Sequence, residues 1–313
     1  MGLNMRNSVL LAKLETTYGV DATPTGALNA MLAKAVNVSP LEQDAVQRDL
    51  QRPYFGNDEQ IPVGTRIAIT FEIELAGSGA EGDAPAYGPL LLACAHSETI
   101  NALVDVRYKP ITVSPDDQDS VTLIYNLDGV QHKALGCKGT VSFAFDARGV
   151  PVMRFAFTGL YADVVDAAVT GVDFSAFIKP KSVNYRDTPS CNYFGQPIVV
   201  QSCSLDVGLQ VVYRNLIGFE GVRITDRAAR GALSFEYQKV IQYNWFQKVK
   251  NNESGALNLV HGTVAGNIIE LNAPNVQPTG PTISDSDGTA MLNLNLNYNP
   301  TEAGNDEYEL IVR

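Results

Sequence analysis

Alternation of apolar and polar residues is the dominant pattern along the chain. Residues 65–75, Thr-Arg-Ile-Ala-Ile-Thr-Phe-Glu-Ile-Glu-Leu, are apolar at almost every second position, which is typical of a strand with one buried and one wet face. The same pattern predicts strands at residues 120–125, 139–145, 152–158, 231–237, 267–271, 290–298 and 307–312. Turn-forming Gly, Pro, Asn and Asp separate them at 128–129, 148–149, 274–280 and 284–288. The chain is therefore predicted to be a mainly antiparallel β protein.

Two stretches predict short helices. Residues 87–96 follow a run rich in Ala and Gly and carry Pro89 in the first turn, where proline is tolerated. Residues 240–250 form the second and contain Trp245, the single tryptophan. Because large aromatic side chains usually fill cores, we expect Trp245 to pack this helix onto a sheet.

The sequence also resembles itself at an offset of 164. Laying residues 41–74 on 205–238 superimposes six identities in 34 positions, against roughly two expected from composition. The identical residues are Leu41/Leu205, Phe55/Phe219, Arg66/Arg230, Ala68/Ala232, Phe71/Phe235 and Glu72/Glu236. The order of elements repeats as well, which predicts two tandem related domains, 1–171 and 172–313, each with a short flanking helix and a long loop. The alternative is that any two β segments share alternation.

A long connection precedes the strand at 65–75. Residues 40–64 exceed the roughly 12–15 residues common for loops in compact domains, and such loops are usually functional or disordered. Disorder fits poorly because apolar anchors are spaced along the segment. The candidate contact residues are Leu50, Arg52, Pro53, Tyr54 and Phe55. We predict an arm that docks on another subunit; a loop folded back on its own domain is the alternative.

Composition restricts the classes of function. The 313 residues carry 23 Lys+Arg against 34 Asp+Glu, a net charge of −11. Specific duplex binding is disfavoured because nucleic-acid binders neutralise phosphates with cations. No apolar run approaches the roughly 20 residues of a membrane span. Residues 9–12 are also too short an apolar run for a signal peptide, so we expect synthesis in a cytoplasm.

Catalytic chemistry has no visible motif. His96, His132 and His261 stand far apart in no metal-binding spacing, and no nucleophile elbow or phosphate loop is present. We therefore expect no enzyme activity, metal or cofactor. The four cysteines form no C-x-x-C pair and are expected to be free thiols.

Two groups of carboxylates need an explanation. Glu72 and Glu74 lie two residues apart on one strand and share a face, which alternation places toward water, so a solvated face is favoured over a catalytic pair. Asp116, Asp117 and Asp119 lack the glycine and distal glutamate of a calcium loop and are predicted to form an exposed turn.

Several segments together resemble the major tail tube proteins of long non-contractile bacteriophage tails. They include Thr-Tyr-Gly-Val-Asp-Ala-Thr-Pro-Thr-Gly at 17–26 and Gln-Arg-Asp-Leu-Gln-Arg-Pro-Tyr-Phe-Gly at 47–56. Residues 38–41, 74–79, 84–91 and 297–306 add to the likeness. The resemblance implies an antiparallel sandwich or small barrel whose copies form stacked rings. It also implies a virion structural protein, with the tape measure, tail terminator and distal tail proteins as partners, and a long loop that reaches a neighbouring subunit.

The repeat and the charge refine that expectation. If each half is one tube domain, three chains supply six domains, so a trimeric ring is preferred over a hexameric one. Residues 1–171 carry a net charge of −8 and residues 172–313 a net of −3. DNA should pass through without specific binding along a mainly negative bore, because cations there would hold phosphates. Lumen candidates are Glu72, Glu74 and, less directly, Asp116, Asp117 and Asp119.

A rival function remains open from the residues alone. An acidic β-sandwich adhesion module that binds receptors or carbohydrates would also be rich in strands and poor in catalytic motifs. The lack of a signal peptide disfavours this alternative.

Overall fold

The computed structural model describes residues 2–313, which form twenty strands and three short helices. The first ten strands are β1 (Ser8–Leu14), β2 (Ala30–Met31), β3 (Ala33–Gln47), β4 (Gln60–Glu74), β5 (His96–Asn101), β6 (Asp105–Pro110), β7 (Val121–Leu127), β8 (Val130–Asp146), β9 (Val152–Tyr161) and β10 (Val165–Asp166). The others are β11 (Ser190–Tyr193), β12 (Gln196–Pro197), β13 (Val200–Asp206), β14 (Leu209–Leu216), β15 (Phe219–Arg227), β16 (Arg230–Glu236), β17 (Gly255–His261), β18 (Ile269–Ser286), β19 (Thr289–Tyr298) and β20 (Glu309–Val312). The helices are α1 (Gly26–Asn29), α2 (Gly88–Leu92) and α3 (Trp245–Lys250).

Eight strands form one continuous antiparallel sheet that contains strands from both halves of the chain. Its order is β3, β4, β9, β8, β13, β16, β19 and the second half of β18. The two halves of the chain meet where β8 pairs with β13, with Phe143 opposite Leu205. We call this the continuous sheet.

A second layer covers the inner face of the continuous sheet. Its order is β5, β6, β20, the first half of β18, β17, β11 and β12. Strand β18 crosses from one layer to the other, and the first half of β8 pairs with β7, which carries β1 and β2. The mainly β, antiparallel prediction is confirmed, and of the two architectures expected the fold is an open sandwich.

The alternation in the sequence explains how the layers pack. On β4, Ile67, Ile69, Phe71 and Ile73 are buried while the residues between them face outward. Phe71 stacks on Phe155 with ring centroids 5.4 Å apart. Such period-two burial gives one core that runs through both halves of the chain.

Both predicted helices exist but are shorter than the sequence suggested. The first spans Gly88–Leu92, because residue 96 already begins β5. The second begins at Trp245, where the Asn244 side chain accepts a hydrogen bond from the Gln247 N–H at 3.0 Å. Trp245 is 1% exposed and lies against Phe235 of the continuous sheet, so the expected packing is confirmed.

Two predicted connections are largely strand. Most of residues 40–64 belongs to the long antiparallel pair β3–β4, and only the twelve residues 48–59 lie between its strands. The predicted turn at 274–280 lies within β18, where backbone pairing with β19 continues past a bulge between Thr279 and Thr282. Between β10 and β11, residues 167–189 contain no helix or strand.

Candidate assembly surfaces

The β3–β4 pair extends beyond the continuous sheet as a hairpin, and we call its residues 43–63 the arm. At its tip Arg52 forms an ion pair with Asp58, and the Leu50 N–H donates to the same carboxylate at 2.9 Å. The Arg52 guanidinium also lies 5.9 Å from the centroid of the Tyr54 ring. Phe55, beside it, is fully exposed. The tip is thus internally ordered and presents aromatic surface to solvent.

The other predicted arm residues share this exposure. Leu50 is about half-exposed and Tyr54 is 65% exposed, while Arg52 and Pro53 lie on the surface. Closer to the sheet, Val46 and Ile61 face each other across the hairpin and are 51% and 48% exposed. Nothing within the described chain covers this side of the arm, so the predicted contact with another subunit stays a prediction.

A second hairpin, β14–β15, was not anticipated from the sequence. It forms a separate two-stranded sheet from residues 209–227 and leaves the continuous sheet at Gly208, whose φ of +62° permits the bend. Alternation in residues 209–213 and Gly218 between two apolar runs were the available signals. We call it the second hairpin.

Side chains from the first half of the chain hold the base of the second hairpin. The Tyr18 hydroxyl accepts from the Val222 N–H at 2.6 Å. The amide group of Gln118 bonds both backbone groups of Ile224, accepting from its N–H at 3.0 Å and donating to its carbonyl at 2.8 Å. Arg223 donates to Asp116 at 2.7 Å. The bonds from Tyr18 and Gln118 take the place of a strand partner along β15 and hold the second hairpin against the first half of the chain.

The two hairpins leave equivalent strands at the same end of the continuous sheet. The arm joins β3 to β4, and the second hairpin joins β13 to β16. In the arm the pair Val46 and Ile61 is half-exposed; in the second hairpin the corresponding pair is Val211 and Ile224, of which Ile224 is 6% exposed. The second hairpin is less exposed than the arm because the first half of the chain packs against it.

The outer face of the continuous sheet is polar and finely mixed in charge. Small neutral side chains predominate on it, namely Ala68, Thr70, Ala156, Thr158, Ser142, Ser202, Ser204, Ala232, Ser234, Asn293 and Asn295. Glu72 and Glu74 do share this face, as alternation predicted. Glu72 accepts from Arg154 at 2.8 Å, and Lys34 lies 3.6 Å from Glu74, so neither carboxylate is without a cation.

The aspartate group lies in a different place. Asp116, Asp117 and Asp119 belong to the connection between β6 and β7 and are exposed, as an exposed turn requires. Asp116 is the acceptor for Arg223 and therefore helps to hold the second hairpin. The structure does not bring this group together with Glu72 and Glu74 on one strand face.

Two strand edges of the continuous sheet lack a partner within the described chain. The outer edge of β3 is one, since β3 pairs with β4 alone. The second half of β18 is the other, since residues 277–286 pair with β19 alone. An open edge is a row of unpaired N–H and C=O groups that another chain can extend.

Titratable groups in the core serve structure. His96 is buried, its Nδ1 lies 3.0 Å from the Leu91 carbonyl, and its Nε2 is bonded to the Tyr308 hydroxyl. Burial lowers the pKa of His96 to about 4, so the ring is neutral. The four cysteines are buried and unbridged. Within residues 2–313, no group of three His, Cys, Asp or Glu side chains is placed to hold a metal ion.

The comparisons agree with the resemblance seen in the sequence. The family model described as "Phage tail tube protein" matches residues 5–299, nearly the whole chain. No curated protein matches significantly. Among residues 2–313, no helix is long and apolar enough to cross a membrane.

Proposed function

The chain belongs to the phage tail tube protein family, a structural family of the virion tail, and from that premise we propose that three copies close into a ring. In this proposal the rings stack into the hollow tube through which phage DNA is delivered. A hexameric ring is the alternative. The family match favours this role over a receptor-binding or carbohydrate-binding module.

One observation carries the proposal, namely that the continuous sheet contains the same four-stranded unit twice. The order β3, β4, β9, β8 is followed by β13, β16, β19, β18. In each unit the first two strands form one antiparallel pair, the last two form another, and the second strand pairs with the third. This supports the two-domain interpretation, with units in 1–171 and 172–313. The junction of β8 with β13 then serves as a template for the junction between chains, in which β18 of one copy pairs with β3 of the next.

Strand direction permits that junction. All neighbours in the eight-stranded sheet are antiparallel, so its two edge strands run in opposite directions. An antiparallel link between copies therefore continues the pattern without a break, and ring closure removes both open edges.

The size of a duplex favours three chains. Three copies of an eight-stranded sheet give 24 strands, and at about 4.8 Å per strand the backbone radius is about 18 Å before tilt. Inward side chains reduce it by about 5 Å, which still admits a duplex about 20 Å across. Six copies would give a backbone radius of about 36 Å, far wider than DNA needs.

The register of the template gives a sharp test of the junction. Ser204 lies between Ala232 and Ala144. Ser39 has the position of Ser204 in the first unit, opposite Ala68. Val141 on β8 and Ile283 on β18 occupy equivalent positions in the two units. Ala144 and Ser286 each lie three residues further along the same strand, so Ser286 has the position of Ala144. In the proposed ring, Ser39 of one copy therefore faces Ser286 of the next.

A disulfide between these positions reports the junction. Cysteines facing each other on neighbouring strands are within bridging distance, whereas within one chain residues 39 and 286 are at opposite edges of the sheet. The variant Ser39→Cys, Ser286→Cys should give chains linked to each other under mild oxidation, ending at a covalent trimer. Each single variant is the control. Disulfides that join six chains into a closed set would support the hexamer. Assembled tubes of the double variant without any disulfide between chains would contradict the proposed junction.

We assign the arm a role between subunits. In the template, the second hairpin covers part of the first unit, so the arm of one copy should cover the second unit of its neighbour. The half-exposed pair Val46 and Ile61 supports this, because the matching Ile224 is buried. The tip residues Leu50, Tyr54 and Phe55 extend farther and are proposed to reach the next ring.

The outer face of the continuous sheet is proposed to line the bore. Its Ser, Thr, Asn and Ala side chains offer phosphates no row of cations. Glu72 and Glu74 are the lumen candidates on this face, and their pairing with Arg154 and Lys34 moderates the negative charge they present. Asp116, Asp117 and Asp119 lie in the connection beside the second hairpin, where Asp116 binds Arg223 of the same chain, and they are not proposed to line the bore.

Electron microscopy of concentrated protein tests the function as a whole. Rings or tubes with end-on threefold symmetry and six similar lobes are expected. Particles that stay monomeric at all concentrations would contradict the proposal. The tape measure, tail terminator and distal tail proteins are the partners implied by the family, and synthesis in the host cytoplasm precedes assembly.

A further inference from the structure

The connection between the two units ends against a buried histidine. His261 is the last residue of β17 and is 2% exposed. Its Nδ1 lies 2.9 Å from the hydroxyl oxygen of Thr188, a residue two positions before β11 begins. The register of the two strands, with Ser190 opposite Val260, brings these side chains together. A hydroxyl hydrogen-bonded to an imidazole is the arrangement that activates a side-chain nucleophile.

The peptide bond between Asp187 and Thr188 is held by backbone hydrogen bonds on both sides. The Asp187 carbonyl oxygen accepts from the Gly262 N–H at 2.6 Å, and the Thr188 N–H donates to the Asn184 carbonyl at 2.9 Å. Gly262 has a φ of +97°, and a Cβ there would lie 2.0 Å from the carbonyl oxygen of Asn267, so the position requires glycine. A backbone N–H aimed at a carbonyl oxygen stabilises the negative charge that develops when a nucleophile attacks the carbonyl carbon.

The protonation state of the imidazole suits a base. Burial lowers the pKa of His261, and the opposing effects of the Lys181 backbone and the Asp187 carboxylate are smaller. A neutral ring can accept the hydroxyl proton of Thr188 at neutral pH, whereas a charged ring could only donate. Thr188 is half-buried, so solvent reaches this side of the site.

From this geometry we propose that Thr188 cleaves the chain at its own peptide bond to Asp187, once per molecule and without an external substrate. The Thr188 Oγ1 attacks the Asp187 carbonyl carbon, and His261 takes the hydroxyl proton and passes it to the Thr188 nitrogen. The C–N bond breaks as the C–O bond forms, which gives an ester and a free amino group. Water then hydrolyses the ester, leaving a carboxylate on Asp187 and restoring the Thr188 hydroxyl.

The cut falls between the two units of the chain. Residues 1–187 contain β1 to β10, and residues 188–313 contain β11 to β20. The two pieces stay associated because β8 pairs with β13 and β6 pairs with β20. His261 and Gly262 reach the bond only when β17 has paired with β11, so cleavage follows folding. The reaction therefore removes the covalent link between the units without separating them, and it does not depend on ring formation.

Incubation of the purified full-length chain in neutral buffer tests the proposal. Denaturing gels and intact-mass spectrometry should show two fragments whose masses add up to that of the parent plus one water. The new amino terminus should read Thr-Pro-Ser. Hydroxylamine, which attacks esters, should accelerate cleavage and leave a hydroxamate on Asp187; the sequence contains no Asn-Gly bond, the usual site of cleavage by this reagent. A parent chain that stays intact in both solutions would overturn the proposal.

Variants at the two side chains assign the cleavage to this site. Thr188→Ser keeps a hydroxyl and should be cleaved like the parent, whereas Thr188→Val has nearly the same shape without the hydroxyl and should stay intact. His261→Gln should slow cleavage at least about 100-fold, because a positioned general base contributes about 10²–10⁴. Thermal unfolding checks that each variant is folded, and if His261→Gln is not, the two Thr188 variants decide. Equal cleavage of the parent and Thr188→Val, or cleavage at another bond, would indicate a contaminating protease and overturn the proposal.

Discussion

The half-exposed pair on the arm offers the most direct measurement of how copies associate. Val46 and Ile61 are 51% and 48% exposed in the single chain, whereas Ile224, at the corresponding place in the second hairpin, is 6% exposed. If the neighbouring copy covers the arm as the first unit covers the second hairpin, these two side chains lose their remaining contact with water on ring formation. Their replacement by threonine should therefore weaken association and leave folding intact.

The magnitude follows from the exposed fractions. Full burial of a Val or Ile side chain contributes about 1.5–3 kcal/mol, so burying the remaining half contributes about 1 kcal/mol each. One junction then loses about 2 kcal/mol and three junctions lose about 6 kcal/mol, a factor of about 10⁴ in the trimerisation constant. The ratio of trimer to monomer depends on the square of the free monomer concentration. A loss of about 10⁴ in the trimerisation constant should therefore raise the midpoint concentration about 100-fold.

Mass photometry or sedimentation across a dilution series measures that midpoint. Threonine keeps the β-branched shape that strands favour, so Val46→Thr, Ile61→Thr should unfold at the parental temperature. The matched control is Ile224→Thr, which alters a side chain already buried within the chain. It should lower the thermal midpoint of the subunit and leave the association midpoint of the folded protein unchanged. An unshifted association midpoint in the arm variant would refute the reasoning.

Three further outcomes are expected. Replacing residues 48–59 by Asn-Gly, a two-residue turn suited to a hairpin, should give folded rings that fail to stack, seen as short particles in the microscope; tubes of parental length would remove the tip from assembly. Because burial lowers the pKa of His96 from 6.5 to about 4, the folded state binds fewer protons than the unfolded chain, so stability is full above pH 6.5 and falls by about 3 kcal/mol as the pH drops to 4. Denaturant titrations of His96→Gln should lack that share of the acid dependence, and an unchanged slope between pH 4 and 6.5 would contradict it. Tubes of Glu72→Lys, Glu74→Lys should retain DNA at low salt and release it with a steeper salt dependence than parental tubes; equal retention would move these residues off the bore.

The alternation in the sequence was sufficient to locate eight of the twenty strands and to predict which way their side chains face. Ile67, Ile69 and Phe71 are apolar at every second position, and whichever partner β4 finds, only one of its faces can be buried. The resemblance to tail tube proteins was also accessible from the sequence, because it rests on local segments, and the family match confirms it.

Partners of the strands were decided by the tertiary structure alone. Residues 43–47 are Gln, Asp, Ala, Val and Gln, a composition with low β propensity, and they are strand because residues 60–65 pair with them. Residues 274–280 contain Pro and Gly and suggested a turn, yet they continue β18 because it crosses between layers at that point. Propensity is a local quantity, whereas backbone pairing depends on segments far apart in the chain.

The same distinction explains the assembly surfaces. Sequence spacing could suggest that residues 40–64 reach outward, since apolar anchors in a long connection are a local signal. It could not suggest that the second hairpin is mounted on Tyr18 and Gln118, residues more than 100 positions away. Nor could it show that β8 pairs with β13. That pairing joins the two four-stranded units into one sheet and leaves β3 and β18 as its open edges. It could not be predicted because the alternation within a strand shows which face is buried and does not show which strand lies beside it.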